Sequence, residues 1–220
     1  RINMKVWDAI PMDDFIVEYE NACPDELCEQ FIRQWVTPKE NAMIKFHEGD
    51  NKIEKIKTSQ DLFLDCRNRE HMEMNDKYHH MLQSVKDKYA DISLEKNLDK
   101  HAYDGGPYII RNMIRNSTQT DAIIQKSEVG QYYNWHSDYG ELRLLTCILY
   151  LNDMEDDAGG CTEFASGRII KPTKGKVLIF PATINYIHRG TIVKKGSKYI
   201  ITTFSFIDER PTFPFIISYN

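Results

Sequence analysis

The sequence predicts a mainly β fold with flanking helices, a double-stranded β-helix or jelly roll. Three observations lead there. After Pro107, short apolar runs follow one another closely and are separated by Gly and Asn turn residues, the pattern of a double-sheet β architecture. Before it, apolar residues recur at helical spacing in two stretches. In the middle of the strand-rich half stands Trp135-His136-Ser137-Asp138, an imidazole and a carboxylate two residues apart.

In chain order, Phe15, Ile16 and Val17 suggest a short strand near Asp14–Glu18, with Val6 in a loosely alternating lead-in. Pro24-Asp25-Glu26 then opens a helix, with its acidic residues where the macrodipole favours them. Leu27, Phe31, Ile32 and Trp35 form its apolar stripe, and Thr37-Pro38 ends it. Residues 41–60 are polar, with a turn at Gly49-Asp50-Asn51-Lys52, and read as a solvated loop or a lid. Asp61–Asp65 suggests a strand, and His79–Tyr89 a second helix carrying Met81, Leu82, Val85 and Tyr89 on one side. His71, His79 and His80 lie on or beside it, and adjacent residues such as His79 and His80 diverge on a helix, so no metal site is read there.

Asp104-Gly105-Gly106-Pro107 is a turn. Strands are then expected near Tyr108–Ile114, Ala122–Ser127, Tyr132–Asp138, Leu142–Leu151, Thr162–Ala165, Ile169–Lys171, Lys176–Pro181, Ile184–His188 and Tyr199–Ile207. That makes about eight core strands, with the two helices buttressing one sheet from outside. No repeat, low-complexity tract or linker divides the chain, so residues 1–220 read as one domain: about 1–107 is N-terminal support and about 108–210 the jelly-roll core.

Composition bounds the function. With 41% hydrophobic and 28% charged residues the chain is ordinary for a globular protein. No apolar run approaches the ~20 residues of a membrane span, and no basic-then-apolar leader begins it, so a cytoplasmic, soluble protein with no membrane partner is expected. Cys23, Cys28, Cys66, Cys147 and Cys161 are odd in number and lack paired spacing, which points to free thiols. A net charge of −5 gives no pull toward nucleic acid and argues against a nucleic-acid dealkylase.

On a strand, His136 and Asp138 share a face. His188 follows 50 residues after Asp138, far enough for intervening strands to fold back and bring it to the same point. Two histidines and a carboxylate on one face of an octahedron leave the other face open, as a non-haem Fe(II) oxygenase requires. Taken singly, each has a bland reading: a solvated strand, a core histidine, and for Lys198 a solvated lysine. Strand parity changes the odds for Lys198. It shares a face with Ile200, Thr202, Phe204 and Phe206, where an ammonium is costly unless a carboxylate meets it. By the same parity, Thr146 and Tyr150 share a face of their strand.

Glu128 to Asp138, the run Arg143 to Asn152, Gly159-Gly160-Cys161-Thr162-Glu163-Phe164, Lys171 to Gly175 and the interval from His188 to Lys198 together resemble the 2-oxoglutarate/Fe(II)-dependent oxygenases, in particular the prolyl 4-hydroxylase-like group. The likeness weakens before Ile109. It implies a dioxygenase with Fe(II) as metal, 2-oxoglutarate as cosubstrate and ascorbate as an accompanying cofactor. The reaction would hydroxylate a prolyl residue in a proline-containing peptide or protein and release succinate and CO2. His136, Asp138 and His188 would be the metal ligands, with no further catalytic residue. Lys198 and Thr162 would bind the cosubstrate, with Thr146 and Tyr150 beside it. Arg143, Tyr133 and Phe204 would meet the substrate. A carboxylate at Asp138 leaves no vacancy for halide, favouring hydroxylation over halogenation. Tyr133 has the opposite parity to His136, which puts it in a groove outside the metal pocket. Two positions depart from the group: Ser127 stands where a cosubstrate-binding tyrosine is common, and Phe206 where peptide-binding members have a histidine. The alternatives are hydroxylation of another residue or a free amino acid, and a metal-binding jelly roll without turnover.

Overall fold

The computed structural model describes residues 12–36, 43–45, 56–65, 67–92, 106–140 and 142–207. Val6, Cys66, the turn at Gly49–Lys52 and the start of the turn at Asp104 lie outside the described residues.

Twelve strands are described, in two antiparallel sheets. The larger contains β1 (Val17–Tyr19), β2 (Met43–Lys45), β3 (Gln60–Phe63), β4 (Thr118–Gln119), β5 (Ile123–Ser127), β7 (Arg143–Tyr150), β10 (Val177–Pro181) and β12 (Lys198–Phe206). Its order is β1-β10-β7-β12-β5-β3-β2, with β4 paired to β12. The smaller sheet runs β6-β11-β8-β9, with β6 at Tyr133–His136, β8 at Thr162–Phe164, β9 at Ile169–Ile170 and β11 at His188–Gly190. The four-strand sets β10-β7-β12-β5 and β6-β11-β8-β9 face each other as the expected jelly roll.

Alternation along β7 and β12 assigns their two faces. Ile148, Tyr150 and Ile200 point between the sheets and pack with Phe164, Leu178, Phe180 and Tyr186. Leu145, Cys147, Leu149 and Ile201 point the other way, into a second core with Phe31, Tyr78, Leu82, Val85 and Tyr89. A sheet apolar on both faces needs cover on both, since each buried Leu or Ile contributes about 1.5–3 kcal/mol only when water is excluded. The helices provide that cover: α1 (Asp25–Val36), α2 (Arg69–Ala90) and α3 (Gly106–Asn116).

Several boundaries differ from the sequence expectation. Helix α2 begins at Arg69 rather than His79, because Asn68 caps it by accepting from the backbone N–H groups of Glu70 and His71. Met74 and Tyr78 extend the buried stripe toward that cap. The strand expected at Tyr108–Ile114 is instead α3, a correction with a clear cause. Pro107 suits a first helical turn, Arg115 the last, and packing of α3 on α2 outweighs the local strand preference of the Ile109-Ile110 pair. The strand expected near Asp14–Glu18 is a 3-10 turn, Met12–Phe15, followed by β1. Residues 184–187 are turn and coil, so His188 opens its strand instead of closing one. The polar stretch 41–60 contains β2 and an extended segment at 56–58.

Residues 56–58 shape the site. Lys57 bridges Tyr133, Thr58 N–H donates to the Tyr132 carbonyl, and Asn134 N–H donates to the Ile56 carbonyl at 2.6 Å. This segment borders the smaller sheet beside β6, and three residues later the chain joins the larger sheet as β3. It therefore ties the sheets together along one side of the space between them. Among the described residues, no helix is long and apolar enough to cross a membrane.

Candidate active site

Antiparallel pairing of β6 with β11 sets His136 directly opposite His188, with ring centroids 4.2 Å apart. Strand β6 ends at His136, so Asp138 reaches the pair from the following coil and not from a continued strand. Its Oδ1 lies 3.5 Å from His136 Nε2 and its Oδ2 3.5 Å from His188 Nε2. Among the described residues these three form the cluster able to hold a metal ion, with ligand atoms within 4.8 Å of one another.

The donor set fits a divalent metal in protonation as well as placement. His136 Nδ1 is 2.8 Å from the Asn134 carbonyl, and His188 Nδ1 is 3.0 Å from the Tyr186 carbonyl. A carbonyl only accepts, so each Nδ1 carries a proton, which leaves Nε2, on the Asp138 side, as the atom able to meet a metal. Burial drives the His188 imidazole toward neutrality, opposed by the Asp138 charge. Phe180, edge-on at 4.9 Å, and Phe164 supply much of that dry surrounding. Burial would raise the Asp138 carboxyl, but hydrogen bonding from His136, the two imidazoles' charge and the Thr146 hydroxyl outweigh it and hold Asp138 below the usual range. Thr146 Oγ donates to Asp138 Oδ2 at 2.8 Å, and an Arg143 guanidinium nitrogen donates to the Asp138 carbonyl at 3.2 Å.

The triad opens onto a cavity of about 400 Å³ between the sheets. Lys198, the first residue of β12, projects into it and is only 6% exposed. Its stem passes Gly160, where a Cβ would come within 3.3 Å of Cδ, and its ammonium passes Gly190, where a Cβ would stand 3.6 Å away. The ammonium donates to the Gly160 carbonyl at 3.0 Å. Among the described residues no carboxylate pairs with it, and burial, with a lesser push from Lys57, brings it down to about 8. Thr162 also lines the cavity, and its hydroxyl lies 2.7 Å from the Tyr150 hydroxyl. Tyr150 and Thr146 are fully buried just behind the wall. Burial pushes the Tyr150 phenol up, opposed by the hydrogen bond to Thr162.

Arg143 and Phe204 line another part of the same wall, the guanidinium carbon 3.9 Å from the ring centroid. Phe206 lies beyond a register shift between β12 and β7 and does not line the cavity. Tyr133 departs from the parity argument. Its ring stacks on His136 at 3.6 Å and 12°, inside the pocket. From His188 to Gly190 the register advances two residues on β11 but three on β6, a bulge that turns Tyr133 onto the His136 face.

Lys57, Ser59, Asp61 and Gln125 also line the cavity and were missed in the sequence. Asp61 is buried and accepts from Ser59 Oγ at 2.7 Å, from Lys57 Nζ, and from Gln125 Nε2 at 3.3 Å. A signal was present: Lys57, Ser59 and Asp61 alternate with Thr58, Gln60 and Leu62 at a strand's period of two.

Residues 122–206 match the family model described as the 2OG-Fe(II) oxygenase superfamily, an interval that contains the triad, Thr162 and Lys198. No curated protein matches the chain. Among solved structures, a viral collagen prolyl hydroxylase from Paramecium bursaria Chlorella virus-1, in a 2OG complex, is 20% identical, with a TM-score of 0.57 over 88% of this chain and 97% of that one. A prolyl-4-hydroxylase from Pseudomonas putida is 13% identical, with a TM-score of 0.60 over 88% and 93%. A prolyl hydroxylase from Trichoplax adhaerens, in complex with a hypoxia inducible factor oxygen degradation domain peptide fragment, is 16% identical, with a TM-score of 0.60 over 88% and 84%. At these identities the likeness is one of fold. The match over residues 122–206 and the His136–Asp138–His188 triad within it identify that stretch as a 2OG-Fe(II) oxygenase domain, on a fold similar to that of the prolyl hydroxylases.

Proposed function

We propose that the protein hydroxylates a prolyl residue in a peptide or protein, with His136, Asp138 and His188 holding Fe(II), Lys198 and Thr162 taking the distal carboxylate of 2-oxoglutarate, and Arg143, Tyr133 and Phe204 meeting the substrate. The observation that carries this reading is a single cavity. It joins a metal-competent triad to a buried ammonium without a carboxylate partner among the described residues, and it extends to Arg143 and Phe204. When bound, iron with 2-oxoglutarate supplies the oxidising power for C–H hydroxylation, with succinate and CO2 as coproducts.

The chain's own groups do the rest. His136 and His188, each tethered through Nδ1, aim their Nε2 atoms at one point, and Thr146 holds Asp138 in line with them. Tyr150 orients the Thr162 hydroxyl from behind the wall. Phe164 and Phe180 keep water from the His188 side. The Arg143–Phe204 stack offers a planar cation and an aromatic face to a main chain or a pyrrolidine ring. Ascorbate would serve as an accompanying reductant. Fold likeness to three prolyl hydroxylases, one of them with a peptide bound, supports the peptide class.

The shared core of Phe31, Tyr78, Leu149 and Ile201 supports a single domain across both halves of the chain, with the expected boundary near 108 falling inside α3. The free thiols at Cys23, Cys28, Cys147 and Cys161 support an intracellular location.

Incubation with Fe(II), 2-oxoglutarate, ascorbate and a panel of proline-rich peptides, free amino acids and methylated oligonucleotides tests the proposal. Mass spectrometry is expected to find one added oxygen on a prolyl ring. Oxygen only on a free amino acid or on another residue, or turnover stimulated only by methylated bases, would replace the prolyl reading.

A further inference from the structure

The Lys57–Asp61 pair lies on the cavity wall but belongs to no role assigned above. Asp61 is buried, at 3% side-chain exposure, and Lys57 is largely so, at 12%, so the ion pair is mostly held out of water. The Lys57 ammonium lies 5.2 Å from the centroid of the Tyr133 ring, within cation–π range, and that ring stacks on the His136 imidazole at 3.6 Å. The same segment reaches His136 by a second route. Ile56 accepts from Asn134 N–H at 2.6 Å, and the Asn134 carbonyl receives the His136 Nδ1 proton. Residues 56–58 thus bear on the ring plane through Tyr133 and on the ring's tether through Asn134.

We infer that Lys57, oriented by Asp61, is a positioning residue for the metal ligand His136 and acts through the Tyr133 ring. An imidazole tethered only at Nδ1 still rocks about its Cβ–Cγ bond, and a ring stacked at an interplanar angle of 12° resists that motion. The ammonium anchors the stacked ring in turn, and Asp61 anchors the ammonium. Outer partners of this kind typically change metal affinity by about 10–100-fold when removed.

The inference rests on reading the triad as a divalent-metal site, and its test separates the two. Chelator-stripped full-length protein is titrated anaerobically with Co(II), following the visible d–d absorbance. Lys57→Met and Tyr133→Leu are expected to weaken Co(II) binding by about 10–100-fold and to alter the band. Lys57→Arg and Tyr133→Phe, which keep the cation and the ring, are expected to stay within a few-fold of the wild type. Lys57→Met/Asp61→Asn should be no weaker than Lys57→Met alone. Wild-type affinity and spectrum in Lys57→Met overturn the inference, and an additive loss in the double variant overturns the part assigned to Asp61. Should Lys57→Met fail to fold, equal affinities for Tyr133→Leu and Tyr133→Phe overturn it instead. Co(II) binding that survives His188→Ala unchanged defeats the metal reading itself.

Discussion

Replacing Lys198 with methionine should have opposite effects on ligand binding and on stability. Burial has brought this ammonium from 10.5 down to about 8, so holding it charged in the ligand-free fold costs about 3 kcal/mol. The sign follows from proton counting. Between pH 8 and 10.5 the unfolded chain binds more protons at this site than the folded one, so the wild type gains stability as pH rises through that window. Below pH 8 it bears the full penalty. Methionine keeps the stem's volume and removes the charge. Against this, the Gly160 carbonyl loses its donor, at a cost of about 1 kcal/mol. Ligand-free Lys198→Met should therefore be about 2 kcal/mol more stable than the wild type at pH 7, roughly 4–8 °C in Tm. That advantage should shrink as pH rises to 10.5.

Cosubstrate binding should move the other way. Loss of one partner of a buried charge pair costs about 2–5 kcal/mol, so Lys198→Met should weaken 2-oxoglutarate by at least ~30-fold. The wild type itself should weaken by roughly 15-fold between pH 8 and 9.5, as binding comes to require uptake of a proton, and the variant should not. Calorimetric titration of the Mn(II)-loaded protein with 2-oxoglutarate, beside thermal melts of the stripped protein, measures both arms. Affinity within threefold of the wild type, or a Tm lowered at pH 7, would refute the reasoning.

Alanine at His136, Asp138 or His188 should abolish iron-dependent turnover, and the wild type should bind one Fe(II) per chain by elemental analysis; full activity with wild-type iron in His188→Ala would remove it from the ligand set. Thr146→Val leaves Asp138 Oδ2 without its donor and should weaken Co(II) binding by about 10–100-fold at nearly unchanged volume, as read by competition with a chelating dye. Arg143→Ala should lower peptide turnover more than uncoupled 2-oxoglutarate decarboxylation, and equal losses in a succinate assay would place Arg143 with the metal or cosubstrate. Gly159→Ala puts a Cβ 2.0 Å from the Ile192 carbonyl oxygen at a φ of +70°, so it should lower Tm by several degrees; an unchanged Tm would show that the loop before β8 yields freely.

The sequence by itself determined the fold class, the parity of β7 and β12, and the residues of the triad. Each depends on order along the chain: a period of two decides which residues share a face, and His136, Asp138 and His188 are recognisable by type and spacing. Lys198 was legible for the same reason, because parity put a lysine among Ile200, Thr202 and Phe204. Tertiary structure decided what depends on pairing. Helix α3 replaced a strand because contact with α2 outweighs the preference of two isoleucines. Tyr133 turned onto His136 because β6 spends one more residue than β11 over the same span, and a bulge has no reliable mark in composition. Lys57 read as part of a polar loop and Asp61 as the start of a strand, because their pair is formed only once residues 56–63 run from one sheet to the other.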